Sequence, residues 1–383
     1  MRVLVLLHEA FGGRGGIAKF NRDLLTALCA YPAIREVVAI PLLVMDPVGT
    51  LPAKLDFRTG PTPSRASWLL RVAHAAMQKP HFDLIVCGHV NLLPIAFAVR
   101  RLHQAPLGLV VHGIEAWQPT GRPWTDRLAS RIDFFISVSA YTKERFGTWT
   151  KIKDGRGFVL PNAVDTAYFT PGPADPGLAQ RWRLDGRRVL LTLARLDARE
   201  RYKGIDEILE LMPDLIQAFP DLVYVVAGDG SDRARLEAKA HDLGLAERVV
   251  FTGYVAEGEK RDLYRLAHAF AMPSRGEGFG IVFLEAMACG VPAVASAVDG
   301  GREAVRDGMI GLMVDPADPS SVRAGIATAL NRPRGRRPDG LDHFDIHHFH
   351  QRVHAILDRV GRTAPPAAVP ARGRPSLPPE TSS

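Results

Sequence analysis

AFAMPSRGEGFGIVFLEAMACGVP, residues 269–292, is the stretch whose reading decides the fold. An apolar run stops at a polar, glycine-rich turn, and a continuous apolar segment then runs from Ile281 to Cys289 until Gly290 and Pro292 end it. Strand, turn and buried helix is the assignment, because a segment apolar on every side must be covered all round, and glycine followed by proline stops a helix. The turn Gly278-Phe279-Gly280 thus lies at a helix N-terminus, where free backbone N–H groups and the helix dipole favour phosphate. Glu277 and Glu285 bracket it. A carboxylate there suits sugar hydroxyls, although two carboxylates about a turn could equally be a glycosidase pair.

Outward from this unit the same alternation repeats. VLLTLAR, VYVVAGDG, RVVFTG, PAVAS and GLMV are further apolar runs separated by helical patterns, so residues 188–340 form one doubly wound domain. Upstream, RVLVLL, VVAIPLLV, DLIVCG, LGLVVHG, FFISVS and GFVLP alternate with helices in the same way over residues 1–165. The Pro/Gly-rich segment 166–187 reads as a linker between the two domains. Residues 341–361 carry a last amphipathic helix, and 362–383, rich in Pro, Ala, Ser and Arg, are expected to be disordered. The basic run 332–338 reads as an exposed, mobile connection. The fold class is α/β, with two Rossmann-like domains.

At 383 residues the chain has length for two cores, and 46% hydrophobic with 23% charged residues is a globular composition. MRVLVLL meets His8-Glu9 directly and reads as a first strand rather than a signal peptide. No apolar run reaches the ~18 residues of a membrane span. Three scattered cysteines with no C-x-x-C point to a reducing, cytoplasmic setting. The net charge of +7 is unevenly placed: residues 1–165 hold 20 Lys/Arg against 12 Asp/Glu, or +8, and the remainder 28 against 29, or −1. That excess is either a solvated surface or an attraction to an anionic membrane. No basic cluster is interleaved with aromatics, so nucleic acid is not expected.

Several groups stand where doubly wound domains bind ligands, at the carboxyl ends of strands. GGRGGIAKF places Gly15 and Gly16 in a loop entering a helix; it is not G-x-G-x-x-G, which disfavours a nicotinamide cofactor, and a plain tight turn remains the alternative. His112, Gly113 and Glu115 follow LVV; His112 could bond a sugar or phosphate oxygen or be an ordinary structural histidine. Arg195 ends another strand and Lys203 follows eight residues later, two cations able to neutralise a diphosphate unless they are merely solvated. Gly228 and Asp229 in AGDGS, and Tyr254 and Val255 in FTGYV, follow strands of the same sheet. There is no Asp-x-Asp, H-E-x-x-H or cysteine cluster, so no metal is expected; His343, His347, His350 and His354 near one helix face read as surface or packing residues.

Together these pieces resemble the group 1, or family 4, retaining glycosyltransferases of the GT-B fold, whose Glu-x7-Glu signature appears as Glu277…Glu285. GGRGGIAKF, VVHGIE, VLPNAVD, LARLD with YKG, AGDGS, FTGYV and GGREAV match as well, while Ala163 and Ala194 replace the family's usual glycines. The resemblance implies two domains facing a central cleft, with the last helix crossing back to the first. It implies that a hexosyl unit passes with retention from a UDP- or GDP-linked sugar to an acceptor hydroxyl, with neither cofactor nor metal. The acceptor implied is a saccharide or lipid-linked saccharide of bacterial envelope or polysaccharide synthesis.

By position, the resemblance gives Arg195 and Lys203 the donor diphosphate, and Glu277 the hydroxyls of the transferred sugar. His112 would meet that sugar and the leaving group. The amides around Gly278, Phe279 and Gly280 would cradle sugar and phosphate, and Glu285 would hold the ribose. Tyr254 and Val255 would meet the base through their backbone. Gly15, Gly16, Gly228 and Asp229 would complete the donor site, with Glu115 on the acceptor side.

Two other readings remain. A phosphorylase or glycosidase on this scaffold would need no nucleotide, and no lysine of the kind that carries pyridoxal phosphate is identifiable. A catalytically silent nucleotide-sugar-binding subunit of an assembly complex would be marked by loss of Glu277, Arg195 or Lys203, all present. Trp68, Leu69 and Val72 among Arg65, Arg71 and Lys79 give residues 64–79 either a core-packed helix or a peripheral membrane contact.

Overall fold

The computed structural model describes residues 1–60, 64–153 and 155–363. The first half forms strands β1 (Arg2–Leu7), β2 (Glu36–Pro41), β3 (Leu55–Phe57), β4 (Leu84–Cys87), β5 (Leu107–Val111), β6 (Phe134–Ser137) and β7 (Gly157–Val159). The second forms β8 (Arg188–Leu193), β9 (Leu222–Ala227), β10 (Val249–Gly253), β11 (Ala269–Met272), β12 (Ala293–Ser296) and β13 (Leu312–Val314). All pair in parallel, in the orders β3-β2-β1-β4-β5-β6-β7 and β10-β9-β8-β11-β12-β13. Both are the doubly wound arrangement, in which the chain reverses direction across the sheet after its first three strands. The crevices of such sheets open at those reversals, here between β1 and β4 and between β8 and β11.

Register explains the apolar runs. Leu4 lies opposite Val38 on one side and Ile85 on the other. Val3, Val5 and Leu7 join one core while Leu4 and Leu6 join another, so neither face of β1 meets water. The first of these cores is shared by both halves. It runs from Phe20 and Leu24 of the helix Gly15–Ala30, through Phe349 and Val353 of the helix Ile346–Thr363, to Phe283 and Met287 of the helix Ile281–Ala288.

The last helix lies against Gly15–Ala30: Phe349 meets Phe20 edge-on at 5.6 Å, His354 Nε2 donates to the Ala27 carbonyl at 3.1 Å, and the Tyr31 hydroxyl donates to Asp358. The chain's two passages between the sheets run side by side, with the Val164 N–H donating to the Phe344 carbonyl at 2.9 Å.

Some expectations change. The segment read as a linker contains a helix, Pro176–Arg181, which starts at a capping Asp175 and is tied to the second half by Arg181 and Glu259 at 2.9 Å. The basic run 332–338 is exposed but not a loose connection: Arg334 donates to the carbonyls of residues 265, 266 and 267, and the Gly335 N–H donates to the Gly290 carbonyl at 2.8 Å. In the helix Arg65–Met77, Trp68 and Val72 are core residues, and the Trp68 indole N–H donates to the Ile40 carbonyl at 3.1 Å. Those two face inward because β2 needs cover; Leu69, Leu70 and Met77 are large apolar residues left outside. The expectation of disorder over 362–383 fails at its first two residues, which end the helix Ile346–Thr363, and from residue 364 it falls outside the described residues.

Candidate active site

Two helix N-termini confront each other between the sheets. Gly15–Ala30 begins after Arg14 and Ile281–Ala288 after Gly280, and neither start has a side-chain cap. A Cβ placed on Gly16 would lie 3.7 Å from Ile281 Cγ2 across the gap. Gly15 (φ +83°) and Gly280 (φ +85°) take left-handed backbone conformations that let each chain turn sharply into its helix. Uncapped N–H groups and two positive dipole ends thus face one space, a setting for a dianionic ligand.

Lys203 Nζ lies 2.6 Å from Glu277 Oε2, both side chains being only 16% exposed. Burial works against the ammonium, but Glu277, Tyr202 and Asp299 outweigh it and raise its pKa, so Lys203 stays charged. Arg195 pairs with Glu200 and is mostly exposed at the end of β8. Glu277 is oriented by a residue that sequence reasoning missed. Fully buried Asp299 accepts the Glu277 N–H at 2.8 Å, the Ser274 hydroxyl at 2.7 Å and the Gly301 N–H at 2.9 Å. Burial pushes its carboxyl up to about 6 against those bonds. Glu285 is buried on the next helix, accepts the Tyr264 hydroxyl at 2.8 Å, and is likewise raised by burial.

Opposite stands a wall of histidines. His112 donates through Nε2 to the Gly88 carbonyl at 3.1 Å and packs edge-on to Phe20 at 5.2 Å. Burial lowers it to about 4, so the ring is neutral, with its proton on Nε2 and Nδ1 left as acceptor. His89 is also lowered to about 4, mainly by burial, and its ring lies 4.4 Å from that of His8. His8 and His89 were not singled out from sequence. They follow β1 and β4, and the only signal for them, that these strands are neighbours, comes with the sheet order. Glu115 is occupied within its own loop, its Oε1 accepting the N–H groups of His112 (2.7 Å) and Gly113 (3.1 Å).

The walls touch at glycines. A Cβ on Gly278 would lie 2.0 Å from the His112 carbonyl oxygen and 2.8 Å from Gly113 Cα, so no other residue fits. Phe279 buries its side chain against Phe344 at 5.6 Å, leaving its backbone to the turn. Tyr254 is 53% exposed and lies under the Arg14 guanidinium at 4.6 Å, bridging the cleft, while Val255 is buried. Gly228 has a packing reason of its own: a Cβ there would lie 1.8 Å from the Ala194 carbonyl oxygen. Asp229 accepts the Gly230 N–H, stands 3.9 Å from Arg233, and is more than half exposed. Of the four histidines near the last helix, His343 precedes it and contacts Arg352, and His354 bonds Ala27.

Two doubly wound domains closing on opposed helix N-termini and a buried Lys–Glu pair define the GT-B class of fold. Residues 179–339 match the family model described as glycosyl transferases group 1, and residues 15–168 match that of glycosyltransferase family 4. The chain belongs to this family. It is 36% identical over 234 residues to a GDP-mannose-dependent alpha-(1-6)-phosphatidylinositol monomannoside mannosyltransferase of Mycolicibacterium smegmatis, covering 58% of this chain and 60% of the relative. To a GDP-mannose-dependent monoacylated alpha-(1-6)-phosphatidylinositol monomannoside mannosyltransferase of Corynebacterium glutamicum it is 30% identical over 267 residues, covering 64% and 67%. The alignment thus spans about three fifths of the first relative's length. In fold it is similar to Anabaena HepE in complex with UDP and glucose (TM-score 0.73, 21% identity, 94% and 99% covered). It is equally similar to an Escherichia coli trehalose-6-phosphate protein bound with UDP-2-fluoro glucose (TM-score 0.73, 16% identity, 95% and 100% covered).

Proposed function

We propose that the protein is a retaining glycosyltransferase moving a hexosyl unit from a nucleoside diphosphate sugar to an acceptor hydroxyl. The Lys203–Glu277 pair beneath two opposed helix N-termini carries this reading. It joins a fixed cation for a leaving diphosphate to a carboxylate for sugar hydroxyls, with N–H groups on both sides of the phosphates. The named relatives favour GDP-mannose as donor and a phosphatidylinositol mannoside as acceptor.

In this scheme Glu285 takes the ribose, Tyr254 and Val255 flank the base, and His112 accepts a sugar hydroxyl at Nδ1. The bond from the anomeric carbon to the diphosphate breaks with its electron pair on the phosphate oxygen, which Arg195 and Lys203 stabilise. The acceptor oxygen bonds the same face of that carbon and its proton passes to the leaving phosphate. Catalysis is then positioning and charge stabilisation. His8 and His89 line the acceptor side. No step uses a metal, so turnover should survive EDTA.

A panel of GDP- and UDP-sugars tests the donor: GDP-mannose should raise the melting temperature most, since a ligand bound only by the folded state stabilises it. Transfer to phosphatidylinositol mannosides, with the anomeric configuration of the product read by NMR, tests the rest. An inverted product, or no stabilisation by any nucleotide sugar, overturns the scheme. No helix among the described residues is long and apolar enough to cross a membrane. Leu69, Leu70 and Met77, exposed on a helix that begins at Arg65, give this reading a peripheral contact with anionic lipid. Absence of flotation with anionic vesicles at low salt would reject that contact.

A further inference from the structure

A cavity of about 630 Å³ opens at the amino end of the second sheet, away from the cleft, which lies at the carboxyl ends. Arg188 and Val189 begin β8 there and His268 directly precedes β11. Both passages of the chain between the two halves line it, Gly172–Ala174 and Asp185–Arg188 from the first and Arg334–Gly335 from the second. Its volume is that of a small-molecule site.

The lining is cationic beyond structural need. The Arg265 guanidinium is consumed by the Thr170 carbonyl and hydroxyl at 2.9 Å each, the Pro173 carbonyl at 3.2 Å and Asp262 at 3.3 Å. Arg334 uses only Nη1, on three backbone carbonyls, so its Nε and Nη2 keep no protein acceptor among the described residues. Arg188 pairs with Asp221 at 3.7 Å, an ion pair with no hydrogen bond in it, so its N–H groups remain available to a closer acceptor. His268 accepts the Val189 N–H at Nδ1 (3.1 Å), which puts the proton of the neutral ring on Nε2 as another donor. Burial lowers its pKa to about 4, and Arg334 and Arg188 press it further down while Asp221 and a bond to the Leu266 backbone oppose. Four arginines (187, 188, 265 and 334) against Asp185 and Asp221 leave the lining with an excess of positive charge.

We propose that this cavity binds a small phosphate monoester, its phosphate held by Arg188, Arg334 and His268 Nε2. The observation is independent of the transferase reading, since none of the three residues lies in the cleft. A ligand there touches both interdomain passages and ties them together.

Calorimetry on the full chain tests it, with inorganic phosphate and a hexose 6-phosphate as probes. Both should bind saturably at one site. Arg188→Gln with Arg334→Gln should weaken binding by at least about tenfold, the scale of a lost charge-assisted hydrogen bond. Arg195→Ala with Lys203→Ala should leave it unchanged. The opposite pattern places the anion in the cleft and overturns the proposal, as does the absence of saturable binding. Should the double arginine variant fail to fold, NMR of the histidine rings decides with the unaltered protein. Phosphate should move the His268 ring signals, identified from a His268→Gln spectrum, and unmoved signals overturn the assignment.

Discussion

The two sheets share one strand order, yet the cleft walls they raise are chemically unlike. The second wall carries fixed charge: Lys203 against Glu277, Arg195 against Glu200, and Asp299 and Glu285 buried behind them. The first presents histidines that burial keeps neutral and a glycine loop. Common topology therefore supplies the crevice twice, while the side chains differ, and under the proposed scheme they divide the labour, charge stabilisation on one wall and neutral hydrogen bonding on the other. The sharpest way to break this division is kinetic. Lys203→Ala, or Arg195→Ala, should lower turnover by at least ~100-fold, the scale of removing a charge-stabilising donor. His89→Ala should mainly raise the acceptor KM. An equal fall in kcat from His89→Ala would mean that the walls are not specialised.

Acid should separate the halves next. An unfolded histidine takes its proton near 6.5, whereas His89 and His112 refuse it until about 4. Acidifying from 6.5 to 4 therefore favours unfolding of the first half, by on the order of 3 kcal/mol per ring. Asp299 has the opposite sign. Folded, it takes its proton near 6, and unfolded near 3.8, so its stabilisation is complete below 3.8 and is lost as pH rises through 6. It offsets His268, whose value near 4 makes the second half lose stability in acid. Hydrogen exchange at pH 7 and pH 5, corrected for intrinsic rates, should show β1, β4 and β5 losing more protection than β8, β11 and β12. Parallel loss in both sheets would contradict the assignment.

Contact between the walls can be broken sterically. Gly278→Ala puts a methyl 2.0 Å from the His112 carbonyl oxygen, and the two domains must part to admit it. Turnover should fall about tenfold or more because closure completes the site, while the melting temperature stays near that of the parent, both sheets being untouched. A large fall in melting temperature would instead make this contact part of the folding core.

What the sequence allowed, and what it hid, follows the range of the contacts involved. Buried parallel strands announce themselves as apolar runs, so the two α/β halves, and Arg195, His112 and Glu277 at strand ends, were readable locally. His8 and His89 needed the adjacency of β1 and β4, which pairs residues 3–6 with 84–87. Asp299 reaches Glu277 across 22 residues. β3 is three half-buried residues with no alternation to read, and the helix at 176–181 hid within a Pro/Gly-rich segment because Asp175 can cap as readily as it can turn. The pinning of Arg334 depends on carbonyls 67–69 residues away.

Glu303 is the remaining long-range residue, and the mildest test of how the walls meet. From the second half its two carboxylate oxygens accept the Ala140 N–H at 2.7 Å and the Tyr141 N–H at 2.8 Å, the first two donors of the helix Ala140–Thr150 in the first half. Ser139 takes the third at Thr142, so the helix start is satisfied only while the domains are together. Glu303→Gln keeps the size, removes the charge that suits a helix N-terminus, and sets an amide NH2 against one N–H. A loss of about 1–2 kcal/mol of closed-state preference follows, which is roughly 5- to 30-fold in the open-to-closed ratio. Donor KM should rise several-fold with kcat little changed, and small-angle scattering of the ligand-free protein should report a larger radius of gyration. If neither quantity moves, the Gly278–Gly113 contact holds the walls together unaided, and Glu303 serves only to finish a helix.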